Sequence, residues 1–593
     1  MTPPTILRAM GALGLAGLVM MASAASAADG PGSLARRLRR PVALAIVDGG
    51  KTVLAANGKS GSLSIVDADN RRVVAECDIG RGLSDLVALP DGRHLLAVDR
   101  IAGELLLVEY RDRSVRVAGR VAVAPDPVRV VAIEGGSMAV VASTWSRRLT
   151  FVRLKPRAPE GAGLELMIAG SLDLPFSPRE MAAFDGGAPV VVADAFGGRL
   201  AVVDPYRRAL ESLRTLPAHN IRGMVFSPDG RTLLVAHQVL SRLARTTFDD
   251  VHWGQLIRNH LRVLRVESLL KPGPDAALLD GGRLFDLGDV GYAAGDPGAI
   301  AISRRGEVIV ALEGMDEIAL SAGVGEGAHR IVVGRRPSAV AISPDGVLAY
   351  VADSLDNTIS VVVMATGQRP STIALGPRPE LTSADRGERL FSSARLSHDG
   401  WMSCQSCHTD GHTNGLACDT LGDGSYGAPK QVPSLLGVAT TGPWTWTASM
   451  ARLDDQVRKS ILTTMRGTKP SDDQVADLTA YLAALEPPSP GLAKAIPDAI
   501  TRGRGVFTAR KCASCHEPPT YTTPRKYDVG LADEAGNREF NPPSLRAVGR
   551  RDAFLHDGRA RSLRDVFAAE HHPRGLELSP REIDDLVAFL ESL

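Results

Sequence analysis

The chain has 593 residues, a net charge of +1 and six cysteines. A chain of this length is expected to hold three or four domains. Its near-neutral charge argues against nucleic acid or another polyanion as a partner. After the N-terminal segment no stretch is long and apolar enough to cross a bilayer, so the mature chain is expected to have no membrane span.

The first 27 residues have the pattern of a secretory signal peptide. Arg8 supplies the positive charge, residues 11–21 form a short apolar run, and Ala25-Ser26-Ala27 is a small-residue cleavage site. An uncleaved anchor is the alternative, although the run is short for a span. We therefore predict a signal peptide at 1–27 and a periplasmic or otherwise exported protein.

Residues 28–376 repeat a strand, a turn and a strand. The segment PVALAIVDGGKTVLAAN begins at residue 41, and a related segment, PSAVAISPDGVLAYVAD, begins at residue 337. Runs of period 2 broken by Gly-Gly or Pro-Asp-Gly turns indicate β-hairpins. Units start near residues 41, 82, 125, 176, 219, 294 and 336. A period of about 40 residues predicts a β-propeller of seven blades, with six or eight as alternatives.

The fifth unit carries an insertion, predicted at 238–270, that includes His252-Trp253-Gly254-Gln255 and has helical character in its middle. Insertions on one face of a repeat array often bind a ligand or partner. A passive loop is the alternative.

The remaining chain is predicted to be mainly helical. Helices are expected at 383–393, 453–465, 472–485, 492–508 and 579–593, and the last begins with a capping box at Ser579 and Glu582. The order of helix, Cys-x-x-Cys-His and helix occurs twice. The fold class is therefore multidomain, with an all-β propeller followed by two mainly α cytochrome c domains at 377–488 and 489–593.

Two motifs carry the chemistry. Cys404 and Cys407 precede His408, and Cys512 and Cys515 precede His516. Cys-x-x-Cys-His is the attachment pattern of c-type haem, in which the thiols form thioethers and the histidine binds iron. A zinc site would need four nitrogen or sulfur ligands, which the remaining Cys77 and Cys418 do not supply at the usual spacing. The motifs predict two covalently bound haems, and Cys77 and Cys418 are predicted to be unpaired thiols.

Several segments indicate families. Tyr350-Val-Ala-Asp353 stands where the YVTN-type β-propeller family has its motif, and the propeller region resembles that family. Residues 380–593 resemble bacterial di-haem cytochrome c peroxidases and the di-haem maturation enzyme of methylamine dehydrogenase. This second resemblance is carried by the two haem motifs and by the segments 387–391, 433–435, 543–546 and 554–559.

The peroxidase resemblance implies that haem 1 is the reaction site and that haem 2 stores or receives electrons. It implies that Trp446 lies between the haems and that Gln456 matches a distal glutamine. Core packing is the alternative role for Trp446. The resemblance also implies a calcium ion between the haem domains.

Three positions depart from the family pattern. Asp423 replaces the distal histidine, and it serves either as a proton carrier or as a turn-forming residue. His412 is the alternative ligand at haem 1, and the family's distal glutamate falls near Thr464. At haem 2 the second ligand is predicted to be His571 or His572, with two exposed loop histidines as the alternative. His556 is expected to line the haem edge without binding iron.

The leading hypothesis is an exported di-haem oxidoreductase that activates peroxide or a similar oxidant at haem 1. In this hypothesis the propeller docks a protein substrate, a redox partner such as a small cytochrome or cupredoxin, or the haem module. The alternative is a non-catalytic electron-transfer protein with a partner-binding propeller. A propeller enzyme with a quinone or metal is disfavoured, because the blades show no cluster of His, Asp and Glu.

Overall fold

The computed structural model describes residues 34–156, 163–184, 187–271, 273–368, 371–488 and 497–593. The predicted signal peptide at 1–27 lies outside these residues. Leu34–Leu593 form one compact unit. Within the described segments, no helix has the length and apolar character needed to cross a membrane.

The first part of the chain is a seven-bladed β-propeller, as predicted. Each blade is an antiparallel sheet of four strands that follow one another in the chain. The first strands start at residues 41, 83, 127, 178, 219, 297 and 337, within three residues of the predicted starts. Assignment to the YVTN-type family stays a prediction.

Blades 1 to 4 contain sixteen strands. They are β1 (Pro41–Val47), β2 (Thr52–Asn57), β3 (Ser62–Asp67), β4 (Arg72–Asp78), β5 (Leu83–Ala88), β6 (His94–Asp99), β7 (Glu104–Arg111), β8 (Ser114–Ala122), β9 (Pro127–Ile133), β10 (Met138–Ser143), β11 (Arg148–Pro156), β12 (Leu164–Asp173), β13 (Pro178–Ala183), β14 (Val190–Asp194), β15 (Arg199–Asp204) and β16 (Ala209–Thr215).

Blades 5 to 7 contain the next twelve strands. They are β17 (His219–Phe226), β18 (Thr232–Leu240), β19 (Ile257–Arg265), β20 (Arg283–Asp286), β21 (Pro297–Ile302), β22 (Val308–Leu312), β23 (Glu317–Ser321), β24 (Ala328–Val332), β25 (Pro337–Ile342), β26 (Leu348–Asp353), β27 (Thr358–Val363) and β28 (Ser371–Ala374).

The middle strands of the blades are buried on both faces. Every residue of β2 and β3 is buried, whereas the fourth strand, β4, is partly exposed. This follows from blade stacking, because each sheet covers its apolar faces only with the neighbouring blades. The first strand of each blade contacts the first strands of both neighbours, including β1 with β25, so the ring is closed.

The insertion of the fifth blade is shorter than predicted. Gln238, Val239 and Leu240 belong to β18, and Ile257–Arg265 is β19, the third strand of the blade. The true insertion is the segment 241–256, which contains the short helix α1 (Phe248–His252). Polar residues at 258–260 and at 262 interrupt the apolar residues of β19, so its sequence shows neither the apolar run nor the regular alternation that is typical of a strand.

The C-terminal region is mainly helical, as predicted. A short helix of the fifth blade, α2 (Val266–Leu270), precedes it in the chain. The helices of the C-terminal region are α3 (Ser383–Phe391), α4 (Cys404–Cys407), α5 (Leu453–Lys459), α6 (Asp472–Ala483), α7 (Pro497–Ala509), α8 (Leu563–Ala568) and α9 (Pro580–Glu591). Two small ribbons pair β29 (Ala417–Cys418) with β30 (Lys430–Gln431), and β31 (Tyr527–Asp528) with β32 (Glu539–Phe540). The capping box of the last helix is present.

The same helix crossing occurs in both haem regions. Helix α3 packs on α6, and α7 packs on α9. Arg386 makes a two-pronged ion pair with Asp477, and Arg502 makes the matching pair with Asp585. The next residue in each first helix is glycine, because a Cβ there would lie 2.0 Å or 1.9 Å from the carbonyl oxygen of the same aspartate. The two haem regions therefore share one packing plan.

We expect Gly503→Ala to destabilise the second haem region by about 1–3 kcal/mol, since an added methyl in a filled contact forces the helices apart. Gly505 lies in the same helix with open space around its Cα. Gly505→Ala should stabilise the same region by about 0.5–1 kcal/mol, the difference in helix propensity.

The measurement is the denaturant midpoint of each variant, followed through the absorbance of the bound haem. If both variants move the midpoint in the same direction by the same amount, Gly503 is not in close contact with the backbone of Asp585, and the described packing of α7 on α9 is wrong.

Candidate functional site

Both haem motifs line one cavity of about 540 Å³ in the C-terminal region. Cys404, Cys407 and His408 lie on its wall, as do Cys512, Cys515 and His516. The motifs are separated by more than a hundred residues in sequence, so the fold brings both predicted attachment sites to one enclosed space.

The first motif is held on a short helix. Ser403 caps α4, and His408 follows the last turn. The Nδ1 atom of His408 lies 2.9 Å from the carbonyl oxygen of Pro433, which leaves Nε2 as the free ring nitrogen. Burial lowers the pKa of His408 to about 4, so the imidazole is neutral at pH 7. A neutral imidazole with one nitrogen hydrogen-bonded to a carbonyl is the usual state of a metal-binding histidine.

The second motif has the same arrangement. Nδ1 of His516 lies 3.1 Å from the carbonyl oxygen of Tyr521, and burial lowers the pKa of His516 to about 4. His572 also lines the cavity, and its Nδ1 atom is buried with no hydrogen-bond partner among the described residues. His571 is exposed and does not line the cavity.

The cavity fits haem in its chemistry. Its walls are largely apolar and include Phe391, Val457, Leu482, Phe507 and Leu590. Haem also carries two propionates, which need cationic partners, and the lining includes Lys430, Lys459, Arg510, Lys511 and Arg551. A neutral imidazole beside each pair of thiols completes the donor set that c-type haem requires.

Burial of the first motif disfavours the ionised form of its two thiols. Burial raises the pKa of Cys404 to about 12. The pKa of Cys407 is also raised, mainly by a hydrogen bond with Cys418 and next by burial. All six cysteines lie in the described segments, and all have free thiols. The prediction that Cys77 and Cys418 are unpaired agrees with this, although Cys418 contacts the first haem motif.

Trp446 lies on the cavity wall between the two haem regions. Its indole N–H donates to the carbonyl oxygen of Gln431 at 2.8 Å, and its own carbonyl accepts from the backbone N–H of Asn541 at 2.8 Å. Gln431 belongs to the first haem region and Asn541 to the second. The indole of Trp446 is therefore hydrogen-bonded to the first haem region and its backbone to the second, and its place between the haems stays a prediction.

Gln456 and Asp423 also line the cavity, but their surroundings differ. Gln456 donates to Ser460 Oγ at 3.1 Å, and its buried Oε1 has no partner among the described residues. Asp423 Oδ2 accepts from Lys430 Nζ and from Asn537 Nδ2, both at 3.2 Å. Asp423 thus links the two haem regions through Lys430, which also pairs with Asp533 at 2.8 Å.

This ion-pair network bears on the predicted calcium ion. Calcium prefers several oxygen ligands, usually including carboxylates. The carboxylates of Asp423 and Asp533 both contact the ammonium group of Lys430, so a cationic group already lies between them. These residues do not fit a calcium cage, and the ion stays a prediction.

His412 is not placed to bind haem. Its Nδ1 lies 3.0 Å from Ser434 Oγ and its Nε2 lies 3.3 Å from the carbonyl oxygen of Arg550. The ring packs edge-on against Trp145 and Phe196 of the propeller. His556 lines the cavity, stacks on Phe540, and has two buried ring nitrogens without partners among the described residues.

The first haem motif is also docked on the propeller. Ser403 and Ser406 donate to the two carboxylate oxygens of Asp296, at 2.6 Å for Ser406. His219 Nε2 lies 3.0 Å from the carbonyl oxygen of Ser406, and Gln238 donates to Ser406 Oγ at 3.2 Å. Ser403, which precedes the first cysteine, and Ser406, which lies between the cysteines, therefore bind the propeller.

A ring of buried charges surrounds this contact. Arg222 and Arg336 lie 3.2 Å and 3.0 Å from the amide oxygen of Gln405 in its hydrogen-bonded orientation, and both pair with Glu313. Asp410 pairs with Arg222 at 3.3 Å and with Arg179. Burial, with repulsion from Arg222, lowers the pKa of Arg179 to about 9. Sequence reasoning missed this ring, since its members come from different blades and meet only after closure.

The family comparison agrees with this geometry. The model of the di-haem cytochrome c peroxidase family matches residues 382–496. Those residues are similar to that family, and they include the first haem motif. The haem region that follows, which repeats the same helix crossing, lies outside the matched residues.

Three relatives align with part of this chain. The methylamine utilization protein MauG of Methylorubrum extorquens is 28% identical, over 35% of this chain and 76% of the relative. Hydrazine synthase subunit gamma of Kuenenia stuttgartiensis is 27% identical, over 35% of this chain and 76% of the relative. Cytochrome c551 peroxidase of Pseudomonas aeruginosa is 22% identical, over 41% of this chain and 87% of the relative. They support a di-haem oxidoreductase.

The contrast between two neighbouring histidines gives a test. His572 lines the cavity and His571 does not, so His572→Gly should remove the second iron ligand of haem 2. We expect this change to convert a low-spin signal into a high-spin one, because glycine has no ligand atom. His571→Gly is the matched control and should leave the spectrum unchanged.

Electron paramagnetic resonance of the oxidised protein measures both variants. A spectrum altered by His571→Gly and not by His572→Gly would contradict the placement.

Proposed function

We propose that this chain is an exported di-haem c-type oxidoreductase of the cytochrome c peroxidase type. The observation that supports the proposal is the single cavity lined by both haem motifs, with Trp446 also on its wall. Two redox groups that face one cavity across an aromatic ring can exchange electrons without a separate carrier.

In this proposal Cys404 and Cys407 hold haem 1, and Cys512 and Cys515 hold haem 2, through thioether bonds. His408 would hold the iron of haem 1 through its ring nitrogen, and His516 and His572 would hold the iron of haem 2. Bound haem iron supplies the electron exchange with an oxidant such as peroxide. Bis-histidine ligation gives haem 2 a lower potential than ligation by histidine and methionine.

Haem 1 is expected to keep an open position for the oxidant. The cavity wall formed by α5 and the π-helical turn Ser460–Thr464 presents the amide of Gln456 and the hydroxyls of Ser460 and Thr464. Such groups bind ferric iron weakly compared with imidazole. The unpaired Oε1 of Gln456 can accept a hydrogen bond from a bound oxidant, and a π-helical turn is frequent at functional sites.

Proton transfer to the oxidant is assigned to the pair formed by Asp423 and Lys430. Splitting an oxygen–oxygen bond requires a proton to move between the two oxygens. Asp423 is buried in the cavity wall, and its partner Lys430 lines the same cavity. The pair takes the place of the family's distal histidine and glutamate.

The propeller is proposed to dock the haem module on one side. This role is supported by the contacts of Asp296 with Ser403 and Ser406. The partner, a small cytochrome, a cupredoxin or a protein substrate, would then meet the haem regions where they are not covered by blades.

One observation favours the alternative of a non-catalytic electron-transfer protein. Asp423 accepts hydrogen bonds from Lys430 and Asn537, and both would have to break if its carboxylate were to swing toward an oxidant. In that alternative the cavity holds the two haems only for electron transfer, and peroxide has no effect.

A stopped-flow experiment separates these functions. The protein is first reduced by one electron and then mixed with an equal amount of hydrogen peroxide, and oxidation of haem 2 is followed by absorbance. We expect Trp446→Phe to slow this step about tenfold, which corresponds to about 1.4 kcal/mol in the barrier.

Trp444→Phe is the matched control. Trp444 also lines the cavity, but its indole N–H donates to Val438 at 3.1 Å within the first haem region. It should leave the rate nearly unchanged. Equal rates in both variants would rule out relay through Trp446, and a wild-type protein inert to peroxide would favour the electron-transfer alternative.

A further inference from the structure

A second cluster of ligand atoms lies outside the haem cavity. His252 ends helix α1 in the insertion of the fifth blade, and His398 and Asp399 lie in the turn before the first haem motif. His252 Nδ1 lies 3.0 Å from His398 Nε2 and 3.0 Å from Asp399 Oδ2. The remaining pair, His398 Nε2 and Asp399 Oδ2, is separated by 3.4 Å.

Hydrogen bonding alone accounts poorly for this arrangement. His252 Nδ1 is within reach of two acceptors, and a neutral imidazole nitrogen carries at most one hydrogen. The three ligand atoms lie within 3.4 Å of one another, close enough to share one cation. Three atoms with these separations can all lie about 2.0–2.1 Å from a common point, the length of Zn–N and Zn–O bonds.

We propose that His252, His398 and Asp399 bind a divalent transition-metal cation, with Zn²⁺ as the best match. Two imidazole nitrogens and one carboxylate oxygen are ligands that zinc accepts. The three side chains are 29%, 26% and 17% exposed, so the fourth position faces solvent and takes water.

The neighbouring residues hold the ligands in place. Phe248 stacks on His252 with ring centres 5.5 Å apart and lies 4.7 Å from His398. The backbone N–H of Gly291 donates to Asp399 Oδ2 at 3.1 Å, which orients the carboxylate. Second-shell contacts of this kind fix ligand direction at metal sites.

The position of the cluster gives the metal a structural role. His252 belongs to the propeller insertion, and the other two ligands precede the first haem motif by a few residues. The same two segments also meet where Trp401 Nε1 donates to the carbonyl oxygen of His252 at 3.2 Å. A bound cation would fasten the propeller to the segment that leads into haem 1. This inference does not depend on what haem 1 reacts with.

The first test is metal stoichiometry in the full two-haem protein. The protein is treated with a chelator, desalted, equilibrated with zinc chloride and desalted again, and zinc and iron are counted by mass spectrometry. Haem iron counts the chains, so one zinc for every two irons is expected. The double variant His252→Ala with His398→Ala should retain almost none.

His329→Ala is the control, because His329 is an exposed propeller histidine outside the cluster. It should bind zinc as the wild type does. Equal zinc in the double variant and the wild type would mean surface binding and would overturn the proposal, as would a wild type that retains no zinc.

The second test covers the case in which the double variant folds poorly. Zinc X-ray absorption of the wild type should show only nitrogen and oxygen neighbours at about 2.0–2.2 Å. A first shell with sulfur would place the metal at the cysteines and overturn the site. The protein is then equilibrated with Zn²⁺, Cu²⁺, Co²⁺ and Fe²⁺ at equal concentrations, and the metal that it retains identifies the preferred ion.

Discussion

The organisation of this chain depends on one buried carboxylate. Asp296 stands at the start of the sixth blade and is almost fully buried. Burial raises its pKa, and hydrogen bonds from Ser403 and Ser406 oppose that rise. A buried carboxylate without partners costs several kcal/mol, so the propeller and the first haem motif are each incomplete without the other. The same contact aims His408 toward the cavity, because Ser403 caps the helix that precedes it.

The ring of arginines and glutamates around this contact extends the same constraint. Glu313 is fully buried between Arg222 and Arg336, and these two charges keep its pKa low despite burial. Removing both Arg222 and Arg336 would leave the carboxylate of Glu313 buried without either arginine, at a cost of about 3–5 kcal/mol. The second haem region joins this assembly through Asp552, which pairs with Arg147 and Arg199 of the propeller. Both haem regions are therefore carried by the same propeller.

Much of the fold follows from local sequence. Strand-turn-strand repeats placed all seven blades, because each blade forms from neighbouring segments of the chain. The helices were predicted where the 3.6-residue period is strong, as in α9 with its capping box. The buried strand β19 was missed, since Arg258, Asn259, His260 and Arg262 interrupt its apolar residues and leave neither an apolar run nor a regular alternation.

The site was predictable only where its residues are neighbours in sequence. The Cys-x-x-Cys-His motifs met this condition, and both line the cavity. The choice between His571 and His572 did not follow from sequence, because adjacent residues in a loop can face opposite directions. The pairing of Asp423 with Lys430 and the cluster of His252 with His398 arise only from tertiary contacts. No periodicity or spacing in the sequence encodes them.

The central claim is that one haem reacts with an oxidant and the other supplies electrons. The most direct measurement is electron paramagnetic resonance of the fully oxidised protein before and after an equal amount of hydrogen peroxide. The account predicts one high-spin and one low-spin ferric signal at rest, with the high-spin signal lost within seconds of adding peroxide. Two low-spin signals that peroxide leaves unchanged would contradict it.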